Sequence, residues 1–224
     1  MKKQIIIFGN KDLAQLAKFY LENDPRYNQE HVVVAFTVDS KYLTSTTYEG
    51  LPVVPYETIE QFYDVGQYYL FAPMTGSKAN RVREDVYKRG IEKGYKFISY
   101  ISSGAKVFSN KIGDNCFILE DNTIQPFTEI GNNVIMWSGN HIGHHSSIGN
   151  NVFFTSHVCL SGHCNVGDNS WFGVNSTIRD NTNIAPGTLV AMSSCITKDT
   201  TEWGVYVGSP AKKSENTFSY EVLK

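Results

Sequence analysis

The sequence predicts two architectures joined end to end: a small, Rossmann-like parallel α/β unit over residues 1–103, then a three-sided solenoid of short strands over 104–224. Three observations carry this. Short apolar runs alternate with helical patterns up to about residue 100, an apolar residue then recurs at every sixth position from Ile112 to Ile196, and Asn or Gly recurs at every eighteenth position from Asn115 to Gly187.

In the first part, Gln4–Phe8, His31–Thr37, Leu51–Val54 and Tyr68–Phe71 read as strands, each followed by polar or helical sequence, which is the rhythm of a parallel α/β sheet. The first helix places Leu13, Leu16, Ala17, Tyr20 and Leu21 on one stripe, with Asn10 positioned to cap its start. Ser77–Gly94 carries Val82, Val86 and Ile91 among many charges and reads as a surface helix that returns the chain to a strand near Phe97–Tyr100.

From Ile112 the hexads run through Ile118, Ile124, Ile130, Met136 and onward to Ile196 without a break, fifteen in one register. Their fifth positions hold Val, Cys, Ser or Thr, except at Asn122 and Asn140, so large side chains are kept out of a tight corner. A period of six suits neither an α-helix nor an alternating strand. It suits a solenoid whose sides are short strands, and fifteen sides make five coils of three. The slower period of eighteen, in Asn115, Asn133, Asn151, Asn169 and Gly187, supports this division, because Asn and Gly tolerate a left-handed backbone. Coils stacked this way lie about 4.8 Å apart.

Twenty basic and 22 acidic residues leave a net charge of −2, and no basic cluster exceeds two residues, so the footprint of a nucleic-acid binder is missing. No run approaches the ~20 apolar residues of a membrane-spanning helix, and Met1-Lys2-Lys3 leads straight into a strand-like stretch; a cytoplasmic protein without membrane insertion is expected. Cys116, Cys159, Cys164 and Cys195 form no C-x-x-C pair and are expected to be reduced, packed thiols.

Five of the six histidines lie in the solenoid, and hexad position separates them. His145, His157 and His163 occupy fourth positions, where the chain otherwise uses Asn, Asp, Gly or Ser, so each has a corner role open to it. His145 and His163 are eighteen apart and stack on adjacent coils, with Asn181 and Asp199 continuing their column. His144 sits in a third position, where the backbone has no need of imidazole; its column continues as Gly162 and Asp180.

Units such as Ile148-Gly149-Asn150-Asn151-Val152 and Val166-Gly167-Asp168-Asn169-Ser170 resemble those of the hexapeptide-repeat acyltransferases, whose fold is a left-handed parallel β-helix. With the α/β unit in front, Ile142-Gly143-His144-His145 and Ser161-Gly162 in the middle and Val207-Gly208-Ser209-Pro210-Ala211-Lys212 at the end, the chain is similar to bacterial sugar acyltransferases of the bacillosamine and sialic acid pathways. The resemblance implies a homotrimer that uses acetyl-CoA, with active sites between subunits and a nucleotide-linked amino sugar as acceptor. It implies His144 as general base, since acyl transfer from a thioester needs a group that takes a proton as the nucleophile attacks. The family's next residue is commonly a glutamate that raises this basicity. Here it is His145, whose neutral ring can accept a hydrogen bond but whose protonated ring opposes uptake of a proton next door.

The resemblance further places the acetyl carbonyl near Gly162, where a backbone N–H can meet the oxyanion, and matches Val174 to a residue that contacts CoA. Phe153 falls where the family often has a histidine beside the pantetheine arm, so that contact is either apolar or supplied by a different residue, and Lys212 and Lys213 are placed to meet CoA phosphates. Gly9 and Asn10, at the first strand–helix turn, are expected to cradle phosphate, and Asp39, after the second strand, to bond ribose or base. Trp137 stands where bacillosamine-pathway members carry a polar sugar contact, so the sugar pocket differs in shape.

Three other readings stand beside this one. O-acetylation of a sugar hydroxyl uses the same base and donor. A metalloenzyme resembling γ-type carbonic anhydrase needs three converging histidines, but its H-x4-H spacing is absent, the nearest approach being His157 and His163. A noncatalytic repeat scaffold leaves the third-position histidine unexplained.

Overall fold

The computed structural model describes residues 2–223. Its first part is a six-stranded sheet of β1 (Lys3–Phe8), β2 (His31–Val38), β3 (Thr47–Tyr48), β4 (Leu51–Pro55), β5 (Tyr68–Phe71) and β6 (Lys96–Phe97), in the order β3-β4-β2-β1-β5-β6. All pairs are parallel except β3–β4. The winding reverses between β1 and β5, and in such sheets the crevice at the strand ends beside that reversal is where ligands bind. Ile5, Ile6 and Ile7 are fully buried, as expected of a central strand covered on both faces.

Helix α1 (Asp12–Asn23) buries Ala14, Ala17 and Leu21 on this sheet. Its cap is Lys11 rather than Asn10: the Lys11 carbonyl accepts from the Ala14 and Gln15 N–H groups, so Asn10 stands one residue too early to cap. Helix α2 (Arg81–Glu92) departs further from expectation. Val82 and Ile91 are exposed, and the buried stripe is Arg83, Val86 and Gly90. Gly90 is required because a Cβ there would meet the Phe97 ring at 2.5 Å and the Tyr56 hydroxyl at 2.6 Å. The fully buried Arg83 turns toward the solenoid, donating to the Asn151 carbonyl at 2.7 Å and lying over the Phe153 ring.

The solenoid is a three-sided prism of two-residue strands. Its walls are an eight-stranded sheet beginning at Tyr100–Ile101, a six-stranded sheet beginning at Lys106–Val107 and a five-stranded sheet beginning at Lys111–Ile112. Partners are eighteen residues apart, as in Glu129↔Ser147, Ile135↔Phe153 and His141↔Cys159. The hexad-leading residues from Ile118 to Ile196 are all buried in one interior column, closed at the far end by Tyr206. The fifth-position exceptions have a physical reason. Asn122 and Asn140 are buried, Asn140 donates to Asn122 Oδ1 at 2.9 Å, and both amides also donate to corner carbonyls.

The corners carry positive φ throughout the expected column: Asn115 (51°), Asn133 (59°), Asn151 (61°), Asn169 (62°) and Gly187 (68°). These asparagines also form a buried ladder, each amide donating to the next side chain at 2.7–2.9 Å. The ladder ends on the α/β unit at both sides, through the Ala72 N–H at one end and Glu84 at the other. His145, His157, His163 and Asn181 share the left-handed geometry, whereas Asp199 is not among the left-handed residues and instead accepts from Asn183. The column containing His145 begins at Phe127, a bulky residue with φ of 64° where a small polar one was expected.

Candidate active site

His144, His145 and His163 meet on one corner of the prism. The left-handed backbone at His145 (55°) and His163 (58°) turns both side chains outward, and the His163 N–H donates to the His144 carbonyl at 2.9 Å, locking adjacent coils together. The His145 and His163 rings stack at 4.9 Å with planes 11° apart, and the His144 ring stands at 87° to both. All three are exposed.

His144 Nδ1 lies 3.0 Å from His145 Nδ1, a hydrogen bond in which one ring donates and the other accepts. With the proton on His144 Nδ1, its Nε2 carries the free lone pair, the tautomer a general base needs. Gln125 Oε1 accepts the His144 N–H at 2.9 Å and fixes the turn from the preceding coil. Gly162 lies against the imidazole: a Cβ there would sit 2.8 Å from Cε1 and 3.0 Å from Nε2 of His144. Its N–H has no hydrogen-bond acceptor among the described residues, so an unpaired donor lies beside the base.

Other expected solenoid contacts lie elsewhere on the chain. Val174 is exposed but belongs to a different corner, the one that follows the eight-stranded wall. Lys212 is exposed on the terminal strand Ala211–Phe218, paired with Val207. Phe153 is 6% exposed, stacked on Trp171 and packed in the core between the α/β unit and the prism. The expectation of four packed thiols is corrected, because Cys116 and Cys164 are buried but Cys159 is exposed and Cys195 partly so.

Residues 111–143 match the family described as bacterial transferase hexapeptide (six repeats). No curated protein matches the chain. Among solved structures, the acetyltransferase domain of PglB from Neisseria gonorrhoeae FA1090 superposes with a TM-score of 0.82 at 18% identity, over 95% of this chain and 100% of that one. A histidine-to-asparagine variant of perosamine N-acetyltransferase from Caulobacter crescentus, solved with CoA and GDP-perosamine, gives 0.82 at 20% identity, over 95% and 97%. WeeI from Acinetobacter baumannii AYE gives 0.80 at 18% identity, over 95% and 100%. The chain has the fold of these acetyltransferases: an α/β unit followed by a left-handed parallel β-helix.

Within this acetyltransferase fold the amino-terminal residues take definite places. Gly9 follows β1 at the sheet's winding reversal with φ of 122°, and its N–H donates to the Thr37 carbonyl at 2.8 Å. Asn10 follows it, partly exposed. Asp39 lies beyond β2 with its carboxylate held by Arg89 of α2 at 2.7 and 3.4 Å. Trp137 is half-buried against the inter-unit core.

Two features escape sequence reasoning. Phe127 packs against His145 with ring centroids 4.6 Å apart and planes tilted by 34°, and only the eighteen-residue register could have pointed to it. Glu120 joins the two units, accepting from Tyr20 of α1 and from Ser138, both at 2.7 Å. Burial opposes its ionisation, but these hydrogen bonds hold its carboxyl below the usual range, while burial and Glu120 push Tyr20 up to about 12. Among the described residues no helix is long and apolar enough to cross a membrane.

Proposed function

We propose that the protein transfers the acetyl group of acetyl-CoA to the amino group of a nucleotide-linked sugar, for glycan or surface polysaccharide synthesis in the cytoplasm. The observation that carries this is the His144–His145 contact beside Gly162. His144 Nε2 takes the proton from the sugar amine as its nitrogen attacks the thioester carbonyl. The unpaired Gly162 N–H receives the developing oxyanion. Collapse of the tetrahedral intermediate breaks the C–S bond, and the CoA thiolate leaves with the proton that His144 carries. His145 is the positioning partner: its Nδ1 accepts from His144 and selects the productive tautomer.

The acceptor's nucleotide is assigned to Gly9, Asn10 and Asp39 at the winding reversal, and Trp137 to the sugar side of the same cleft. A homotrimer fits the exposure of His144 on a bare corner, since a second protomer would supply the opposite wall; Val174 and Lys212 would meet CoA from that neighbour. The likeness to structures holding CoA and GDP-perosamine supports the substrate classes.

His144→Ala tests the reading. Removal of a general base costs roughly 10²–10⁴-fold in rate, so turnover should fall by that factor while acetyl-CoA binding, read by calorimetry, persists. Full activity in this variant would overturn the assignment. Screening nucleotide amino sugars for release of free thiol identifies the acceptor.

A further inference from the structure

We propose that His144, His145 and His163 form a binding site for one divalent metal ion of the Zn²⁺ type per chain, whose occupancy withholds His144 from proton transfer. One ring nitrogen from each residue lies within 4.8 Å of the others, and the His144 and His145 Nδ1 atoms are already 3.0 Å apart. Zn²⁺ binds imidazole nitrogen at roughly 2.0–2.1 Å, which sets nitrogens of a tetrahedral site roughly 3.3 Å apart. Small rotations of exposed side chains close that difference.

The backbone does not need to move. His145 and His163 are fixed by corner geometry and His163 is tied to the His144 carbonyl at 2.9 Å, so the three Cα positions are preset and only side-chain torsions adjust. Three neutral imidazoles suit Zn²⁺ and Co²⁺, and the exposed fourth side of the cluster leaves room for water. The corner itself does not explain this composition. Asn181 holds the same left-handed conformation one coil further along (54°), so asparagine would serve the fold equally well at 163. Spacing along one coil conceals the site: His163 reaches the pair across an eighteen-residue stack, while His157, which looked nearer to forming a ligand pair with it, belongs to another corner.

Ion binding is independent of the proposed acetyl transfer; the inhibitory consequence rests on it. Chelator-treated native protein is titrated with Zn²⁺ by calorimetry and with Co²⁺ by visible absorption. The expected result is one ion per chain and a tetrahedral Co²⁺ spectrum, with affinity at least tenfold weaker in His163→Asn and unchanged in His157→Asn. His145→Asn, read by titration alone and checked for fold by circular dichroism, should weaken binding by a similar factor. Absence of stoichiometric binding, or equal affinity in wild type and His163→Asn, would overturn the site. In the acetyl-transfer assay Zn²⁺ should inhibit the wild type reversibly, with recovery on chelation, and should require at least tenfold more free ion to inhibit His163→Asn, each protein read against its own metal-free rate. Equal inhibition of both would overturn the inhibitory role, whereas a protein that binds the ion but has no transferase activity would overturn the functional reading alone.

Discussion

Gly162→Ala perturbs the base without replacing it. A methyl group at this position would lie 2.8 Å from His144 Cε1, 3.0 Å from Nε2 and 3.2 Å from Nδ1, thus against the ring itself. Ordinary carbon contacts settle at about 3.5–4.0 Å, so the imidazole must move by roughly 0.7 Å or more. Gly162 is not among the positive-φ glycines, so alanine brings no backbone strain, and the exposed ring can swing aside. Stability should therefore change by no more than about 0.5 kcal/mol. Misplacement of a reacting group by about 1 Å costs roughly 10²-fold, which sets the expected fall in kcat at about 10–100-fold, or about 1.4–2.7 kcal/mol of barrier. Steady-state thiol release at saturating acetyl-CoA, with thermal unfolding alongside, measures both. In a His144→Ala background the same substitution should cost almost nothing, because the displaced ring is gone. Wild-type kcat in Gly162→Ala, or an equal loss in both backgrounds, would refute the placement of the base.

Asn133→Ala should destabilise by about 4 kcal/mol in urea unfolding, because it leaves the buried Asn115 donor and Asn151 acceptor unpaired and forces alanine into a left-handed corner. Asn133→Gly should recover about 1–2 kcal/mol of that, the part owed to backbone conformation. Asp24 is buried, and although burial opposes its ionisation, hydrogen bonds from Ser103, Arg26 and Tyr100 hold its carboxyl below the ordinary 3.8. A depressed folded-state pKa contributes stability above the unfolded value that is lost as pH falls through the folded one. Asp24→Asn should accordingly be less stable than wild type at neutral pH, with the gap narrowing as pH falls below about 4; a constant gap in denaturation midpoints would count against it. A thiol reagent on native protein should modify Cys159 first. It should spare Cys116, whose thiol burial pushes up to about 11, until the protein unfolds, as mass mapping of modified peptides would reveal.

The prism was legible because its repeats turn sequence arithmetic into contact: residues eighteen apart touch, and a corner that demands a left-handed backbone shows itself as a column of Asn and Gly. The same arithmetic placed His145 on His163 and left His144 as the histidine that no corner required. It failed where a residue breaks the local preference for another reason. Phe127 adopts the corner conformation despite its bulk, and Asn122 and Asn140 fill a small-residue corner because their amides bond one another.

The docking of the two units was not legible, and the cause is the chemistry of that interface. Reading by apolar pattern assigns charged residues to solvent and gives α2 Val82, Val86 and Ile91 as its apolar residues; of these only Val86 is buried, and the residues turned to the prism are Arg83 and, at the helix N-cap, Asn80. Both find partners on the prism's corner carbonyls: Arg83 on Asn151 and Asn80 on Asn169, which accept from no backbone N–H among the described residues, and Asn80 also on Ser170, whose carbonyl accepts from the Phe153 N–H as well. A surface made of backbone acceptors selects donors rather than hydrophobes. The partner of α2 is therefore encoded in the regularity of the prism, and no inspection of the helix alone would find it. This seam and the apolar core that the two units share, where Tyr20 and Phe71 pack on Phe117, together hold the winding reversal of the sheet at a set position against the stacked coils, and so set the separation between Gly9 and the base at His144 within one chain.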